Sequence, residues 1–160
     1  DGHEKVNSVT TSIQGDSLTS TNSEFVLSSY DESYDWINTL DSNGSLRSLH
    51  WNSINGSSVC PVGFRVPTND EIKEETIDAN IPVTNNISAF ESFLKFPSSG
   101  YRYYGNGSIL NQGDAAVLWT NSVINGDESF SKGAIFNSTI AGVDLFGYRS
   151  RGYSVRCIMD

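Results

Sequence analysis

The stretch Cys60-Pro61-Val62-Gly63-Phe64-Arg65-Val66-Pro67-Thr68-Asn69-Asp70-Glu71 decides the class of fold. Phe64-Arg65-Val66 is a short extended run, and Pro67 bars helix from the residue before it. Thr68 and Glu71 have the spacing of a capping box, and Asp70 and Glu71 put negative charge in the first turn, where the helix dipole favours it. The pattern predicts a helix from Asn69 to Asp78. Downstream, Ser88-Ala89-Phe90-Glu91 repeats the box, and Phe93, Leu94 and Phe96 follow before Pro97 stops a short second helix.

From Ser98 onward the pattern changes to aromatic and β-branched runs punctuated by Gly and Asn. Strands are expected at Tyr101 to Tyr104, Ser108 to Asn111, Val117 to Ser122, Phe130 to Phe136 and Tyr153 to Met159. Gly105-Asn106-Gly107 joins the first two as a hairpin. Helices followed by antiparallel strands give an α+β class, with two short helices and a mainly antiparallel, loop-rich sheet. Residues 1–35 show no sustained period, and residues 1–58 are expected as an irregular arm over a core formed by residues 59–160. Trp36 and Trp51 flank the turn-forming Asp41-Ser42-Asn43-Gly44 and are expected to anchor that arm.

A chain of 160 residues fits one domain with one core. Nineteen acidic residues against ten basic ones leave a formal charge of -9, a field that repels phosphate backbones and anionic membrane surfaces. Nucleic acid is excluded as a partner on that ground. Membrane insertion is not expected, because no run approaches the roughly 18 apolar residues of a spanning helix. The terminus Asp1-Gly2-His3-Glu4 has neither a basic nor an apolar leader and is expected to be the product of processing or excision. Loop carboxylates at Asp41, Asp114, Asp127 and Asp144 suit Ca2+, which accepts oxygen ligands in irregular geometry, although solubility alone accounts for them equally well.

Cys60 and Cys157 are the two cysteines, and a pair alone is ambiguous between buried thiols and a disulfide. Cys60 precedes the first legible unit and Cys157 lies in the last apolar strand. A bond between them closes about 97 residues, which chain-entropy reasoning values at up to ~4.7 kcal/mol.

Four blocks carry a family resemblance. They are Cys60 to Thr68, Phe93-Leu94-Lys95-Phe96-Pro97 with Gly100-Tyr101-Arg102, Leu118-Trp119-Thr120-Asn121-Ser122, and Gly152-Tyr153-Ser154-Val155-Arg156-Cys157. In that order they resemble the Fibrobacter succinogenes major paralogous domain family, and Asp1 to Glu4 with Tyr34-Asp35-Trp36 extend the likeness over the whole chain. Members of that family begin earlier, with a strand bearing a Trp-Met-Asp-Arg-Asn-Leu-like sequence. The numbering is therefore expected to start inside the domain, or the chain to lack part of its sheet.

Arg65-Val66-Pro67-Thr68 and the terminal Val155-Arg156-Cys157 are also similar to the formylglycine-generating branch of C-type-lectin-like folds. The resemblance implies a central terminal strand stapled by Cys157 to the region before the first helix. It also implies a secreted or cell-surface bacterial protein. Similar domains in large bacterial adhesins are calcium-dependent tips that hold the free C-terminus of a target peptide, which implies such a peptide as partner and Ca2+ as cofactor.

The catalytic inventory is poor. His3 and His50 stand apart and are expected to be structural, zinc-ligand spacing is missing, and a paired Cys60 and Cys157 cannot supply the reactive thiols of formylglycine chemistry. No enzyme activity is expected. In C-type-lectin-like folds the metal sits in loops near the late strands, so the resemblance implies Asp114, Asn121, Asp127, Glu128 and Asp144 as the candidate calcium donors. Tyr103, Tyr104, Trp119 and Tyr148 are candidate contact residues, with Tyr103, Tyr104 and Tyr148 favoured for an exposed face. Arg149 and Arg151 lie in the loop before the last strand, where guanidinium groups can fork to a carboxylate. Arg65, Arg102 and Arg156 are expected as structural ion pairs. The expected function is peptide binding by a surface adhesin domain that acts as a monomeric part of a larger protein. A calcium-dependent lectin, for which no Glu-Pro-Asn motif is found, and a variable displayed module are the alternatives. Five Asn-X-Ser/Thr sequons, at Asn43, Asn55, Asn86, Asn106 and Asn137, are expected from composition alone.

Overall fold

A computed structural model describes residues 10–11, 13–15, 17–18, 24–27, 34–38, 41, 43–124 and 129–160. Its elements in chain order are β1 (Thr10–Thr11), β2 (Phe25–Val26), α1 (Ser45–Trp51), β3 (Phe64–Arg65), α2 (Asn69–Glu75) and α3 (Asn86–Glu91), then β4 (Tyr101–Arg102), β5 (Ile109–Leu110), β6 (Ala116–Trp119), β7 (Phe130–Phe136), β8 (Ala141–Tyr148) and β9 (Ile158–Met159). The class is α+β. β6, β7 and β8 form an antiparallel sheet, β4–β5 and β3–β9 are antiparallel pairs, and β1–β2 is a parallel pair in the arm.

The core follows from the pleat of β6. Successive strand residues face opposite sides, and all four residues of β6 are buried, so both faces of the sheet are covered. Ala116 and Leu118 join Ile72 of α2, Ala89 of α3, Phe96, Phe136 and Val143 in one cluster. Val117 and Trp119 join Tyr153 in a second, with Trp51, Tyr101 and Leu145 against it. Trp51 does anchor the upstream segment, as a member of that second cluster.

The Thr68 box forms as expected. Thr68 accepts from the Glu71 amide, and Glu71 Oε2 accepts from the Thr68 amide at 2.8 Å. The same carboxylate takes two bonds from Arg65 (2.9 and 2.6 Å), whose Nε donates to Asp160 at 2.7 Å, tying β3, α2 and the chain end together. Cys60 and Cys157 are joined in a disulfide with a sequence separation of 97. Of the other two expected ion-pair arginines, Arg102 donates to the Gly107 carbonyl at 3.0 Å and Arg156 is exposed.

Four elements depart from expectation. The second helix is capped by Asn85 and Ser88, with Ser88 inside it at the third position, and it ends at Glu91, leaving Phe93, Leu94 and Phe96 beyond. α1 arises within the segment expected to be irregular. β8 was not foreseen at all. The terminal segment divides: Ser154 bridges to Leu118, with Trp119 donating to the Ser154 carbonyl at 2.9 Å, while Ile158–Met159 pairs with β3.

β8 also bulges against β7 between Gly133 and Ile135. The Val143 carbonyl is taken up by Asn69 Nδ2, while Asn69 Oδ1 accepts from Thr120 and its amide donates to Ser122 at 2.9 Å. One buried asparagine thus holds the start of α2, the end of β6 and the bulge in register.

Candidate functional site

The loop between β8 and the last segment, Arg149-Ser150-Arg151-Gly152, carries two arginines in opposite situations. Arg149 is buried at 4% exposure. Its Nη1 donates to the Asp41 carbonyl at 2.6 Å and to Asp35 Oδ2 at 3.3 Å, and its Nε to the Phe130 carbonyl at 3.2 Å. Arg47 of α1 completes the cluster, pairing with Asp35 and, at 2.9 Å, with Asp41. Two guanidinium groups and two carboxylates are thereby balanced between the upstream segment and the loop after β8. Burial lowers the Arg47 pKa, Asp35 raises it, and Arg149 adds to the fall, with a net downward direction.

Arg151 is half-buried, and its guanidinium carbon lies 5.4, 5.7 and 5.4 Å from the ring centres of Tyr101, Tyr104 and Tyr148. These are cation–π distances. Its Nη1 donates to the Tyr153 hydroxyl at 3.1 Å, its Nε is enclosed without a partner, and among the described residues no carboxylate pairs with it. Burial lowers its pKa, but the Tyr153 bond and the charges of Tyr153, Tyr101 and Tyr104 outweigh this, so the net direction is upward. The guanidinium stays cationic.

The rings form two sets that meet at the Arg151 guanidinium. Tyr148 stacks on Phe130 (4.4 Å) and on Tyr34 (4.2 Å), Tyr104 meets Tyr34 and Tyr148 edge-on, and Tyr103 tilts against Tyr104 at 4.5 Å. Tyr153 stacks on Trp119 at 4.2 Å beneath Tyr101. Gly147 permits this, because a Cβ there would meet the Tyr153 ring at 2.6 Å. Tyr34 holds a left-handed φ of 53°, which is costly for a bulky side chain, and its carbonyl accepts from the Ser150 amide at 2.9 Å. Nothing in sequence order linked Tyr34 to this surface. Its place within the Tyr34-Asp35-Trp36 block was the one available signal.

The contact residues expected from sequence are therefore brought together, but in layers. Tyr103, Tyr148 and Arg151 are half-buried, whereas Tyr104 (4%), Trp119 (7%) and Arg149 lie below. Tyr104 departs from the exposed position expected of it, because Tyr34, Tyr103 and Tyr148 crowd its ring. Arg149 departs from the expected carboxylate fork, because its donors are taken by Asp35 and two backbone carbonyls.

The expected calcium donors behave differently. Asp114 is exposed in the turn before β6, its amide donating to the Asn111 carbonyl at 3.1 Å. The Asp144 side chain is 79% exposed and lies 4.0 Å from Lys132. Asn121 is buried, with Oδ1 unpartnered, and lines a narrow pocket of about 270 Å³, mouth included, together with Arg47 and Arg149. Asp127, Glu128 and His3 lie outside the described residues. Among the described residues no three His, Cys, Asp or Glu side chains gather to hold a metal. Among the described residues Asp114, Asn121 and Asp144 are therefore not brought together at one point.

Among the described residues, no helix is long and apolar enough to cross a membrane. No family model, curated protein or solved structure matches the chain.

Proposed function

We propose that this chain is a C-type-lectin-like ligand-binding domain of a bacterial surface adhesin that holds a peptide by its free C-terminal carboxylate. One observation carries the proposal: Arg151 presents a positive charge within a tyrosine surface and, among the described residues, has no acidic partner. A cation in that state is ready for an anionic ligand, since no internal ion pair has to be broken first. Tyrosine suits such a surface, offering rigid apolar area with a polar edge.

Binding is favoured over catalysis because both cysteines are consumed in the disulfide and His50 stands alone among the described residues as an imidazole. The same disulfide supports an oxidising, extracellular setting. Calcium enters through the family resemblance. Calorimetric titration of short peptides with free and amidated C-termini, before and after calcium is added, tests the function. Affinity for the free acid should fall at least tenfold on amidation; equal affinity for both forms would remove the carboxylate from recognition.

A further inference from the structure

We infer that this surface captures its carboxylate without calcium, the guanidinium of Arg151 supplying the positive charge a metal would bring. The inference rests on the carboxylate-binding function proposed for the same residues and adds how the charge is met.

A calcium ion that accepts a ligand carboxylate needs six to eight oxygens, several of them from side chains converging on one point. Asp114 and Asp144 are each exposed, Asp144 beside Lys132, and Asn121 shares its pocket with Arg47 and Arg149. At Arg151 the opposite holds. Tyr101, Tyr104 and Tyr148 face the guanidinium with π surface and bring no carboxylate to it. With Nε enclosed and Nη1 committed to Tyr153, Nη2 is the nitrogen left without a partner among the described residues. A carboxylate meeting that end of the group forms a charge-assisted bond in a partly desolvated setting, where such bonds are stronger than in water. The need for a local cation is plain in a chain of net charge -9, whose general field opposes any anion.

A peptide C-terminus and the carboxylate of an acidic sugar offer the same chemistry. The test therefore uses a random tetrapeptide library with free C-termini, the same library amidated, and glucuronate as competitor. Each is presented to the intact chain in EDTA and in millimolar calcium, with Arg151→Gln and Arg151→Lys run beside the parent. Enrichment of the free-acid library in EDTA, undiminished relative to calcium, is the expected result. It should drop at least tenfold in Arg151→Gln and less in Arg151→Lys, which keeps the charge but loses the planar fork.

Enrichment that appears only with calcium would overturn the inference and leave the carboxylate function standing. Enrichment in EDTA that survives Arg151→Gln would overturn the assignment to Arg151. No preference for the free-acid library in either medium, and no glucuronate binding, would sink function and inference together. Metal-free binding displaced by glucuronate at matched concentration would support Arg151 while moving the ligand to an acidic sugar. The chelator comparison needs no variant, so it decides even if a substitution unfolds the chain.

Discussion

Arg149 and Arg151 stand in one short loop, yet one belongs to the buried charge cluster and the other to the tyrosine surface beside it. Around Arg149 every charge has a counter-charge: Arg47, Asp35 and Asp41 complete a set that is buried and neutral in sum. Around Arg151 the company is aromatic, and among the described residues its guanidinium's one hydrogen bond runs to a phenol. Burial explains the contrast. A charge taken out of water without a partner is strongly penalised, so a fully enclosed arginine must be paired by the chain itself. A half-exposed arginine can remain unpaired because solvent carries part of the cost until a ligand arrives. The difference separates a group saturated by the chain itself from one whose guanidinium meets only aromatic rings and one phenol among the described residues.

The largest effect should come from breaking the buried set. Asp35→Ala leaves Arg149 and Arg47 each short of a carboxylate in a dry environment, and removing one partner of such a cluster costs about 3–5 kcal/mol. Urea unfolding at neutral pH should show that loss as a lower midpoint. A cost below about 1 kcal/mol would mean that solvent reaches the cluster and that the two arginines differ less than their burial indicates.

The same cluster shows why part of the fold could be read in the sequence and part could not. The Thr68–Glu71 box and β7 were legible because their signals are local, a cap at fixed spacing and an aromatic and β-branched run set between Gly and Asn turns. α1 was not, because its cap is remote: Asp41 Oδ1 and Oδ2 accept from the amides of Leu46 and Arg47, while the formal cap residue is Gly44 at a left-handed φ of 71° with no side chain to offer. β8 was hidden by Gly142, Asp144 and Gly147, residues that weaken a strand on propensity but are accommodated here by the bulge and by the Tyr153 ring over Gly147. The sequons at Asn43, Asn55, Asn106 and Asn137 have a backbone role that composition did not reveal: each Oδ1 accepts from the amide two residues on, the turn that Asn favours. For the candidate surface, the arginines and tyrosines were named, but their division into saturated and unsaturated groups depends on Tyr34 and Asp35, distant in sequence.

Arg65 offers a case between the two extremes. Its partner Glu71 is about a third exposed, with a side-chain value of 34%. The hydrogen bond from Arg65 lowers the Glu71 pKa most, burial opposes it, and the Thr68 donors add to the fall, leaving it at about 2 against an ordinary 4.5. Because the folded value is the lower one, the contribution is present above pH 4.5 and is lost as the pH falls toward 2. Solvent screening at this exposure reduces it to about 1 kcal/mol. Thermal melting of Glu71→Gln should therefore fall below the parent at pH 6 and approach it at pH 2.5. A gap of constant size at both would assign the loss to the helix cap instead of to the charge.

The smallest effect on stability should be that of Arg151→Gln. It forfeits cation–π contacts individually worth about 0.5–1 kcal/mol at exposed sites, but it also relieves the partial desolvation of an uncompensated charge. The two changes oppose each other, so the net loss should be about 0.5 kcal/mol in the same urea titration that registers Asp35→Ala. That pairing is what gives the contrast its force, because a residue retained for recognition can be removed at little cost to the fold, whereas one retained for structure cannot. If Arg151→Gln instead lost several kcal/mol, the tyrosine box would be a structural seat for its arginine, and a carboxylate ligand would have to find its cation elsewhere on the chain.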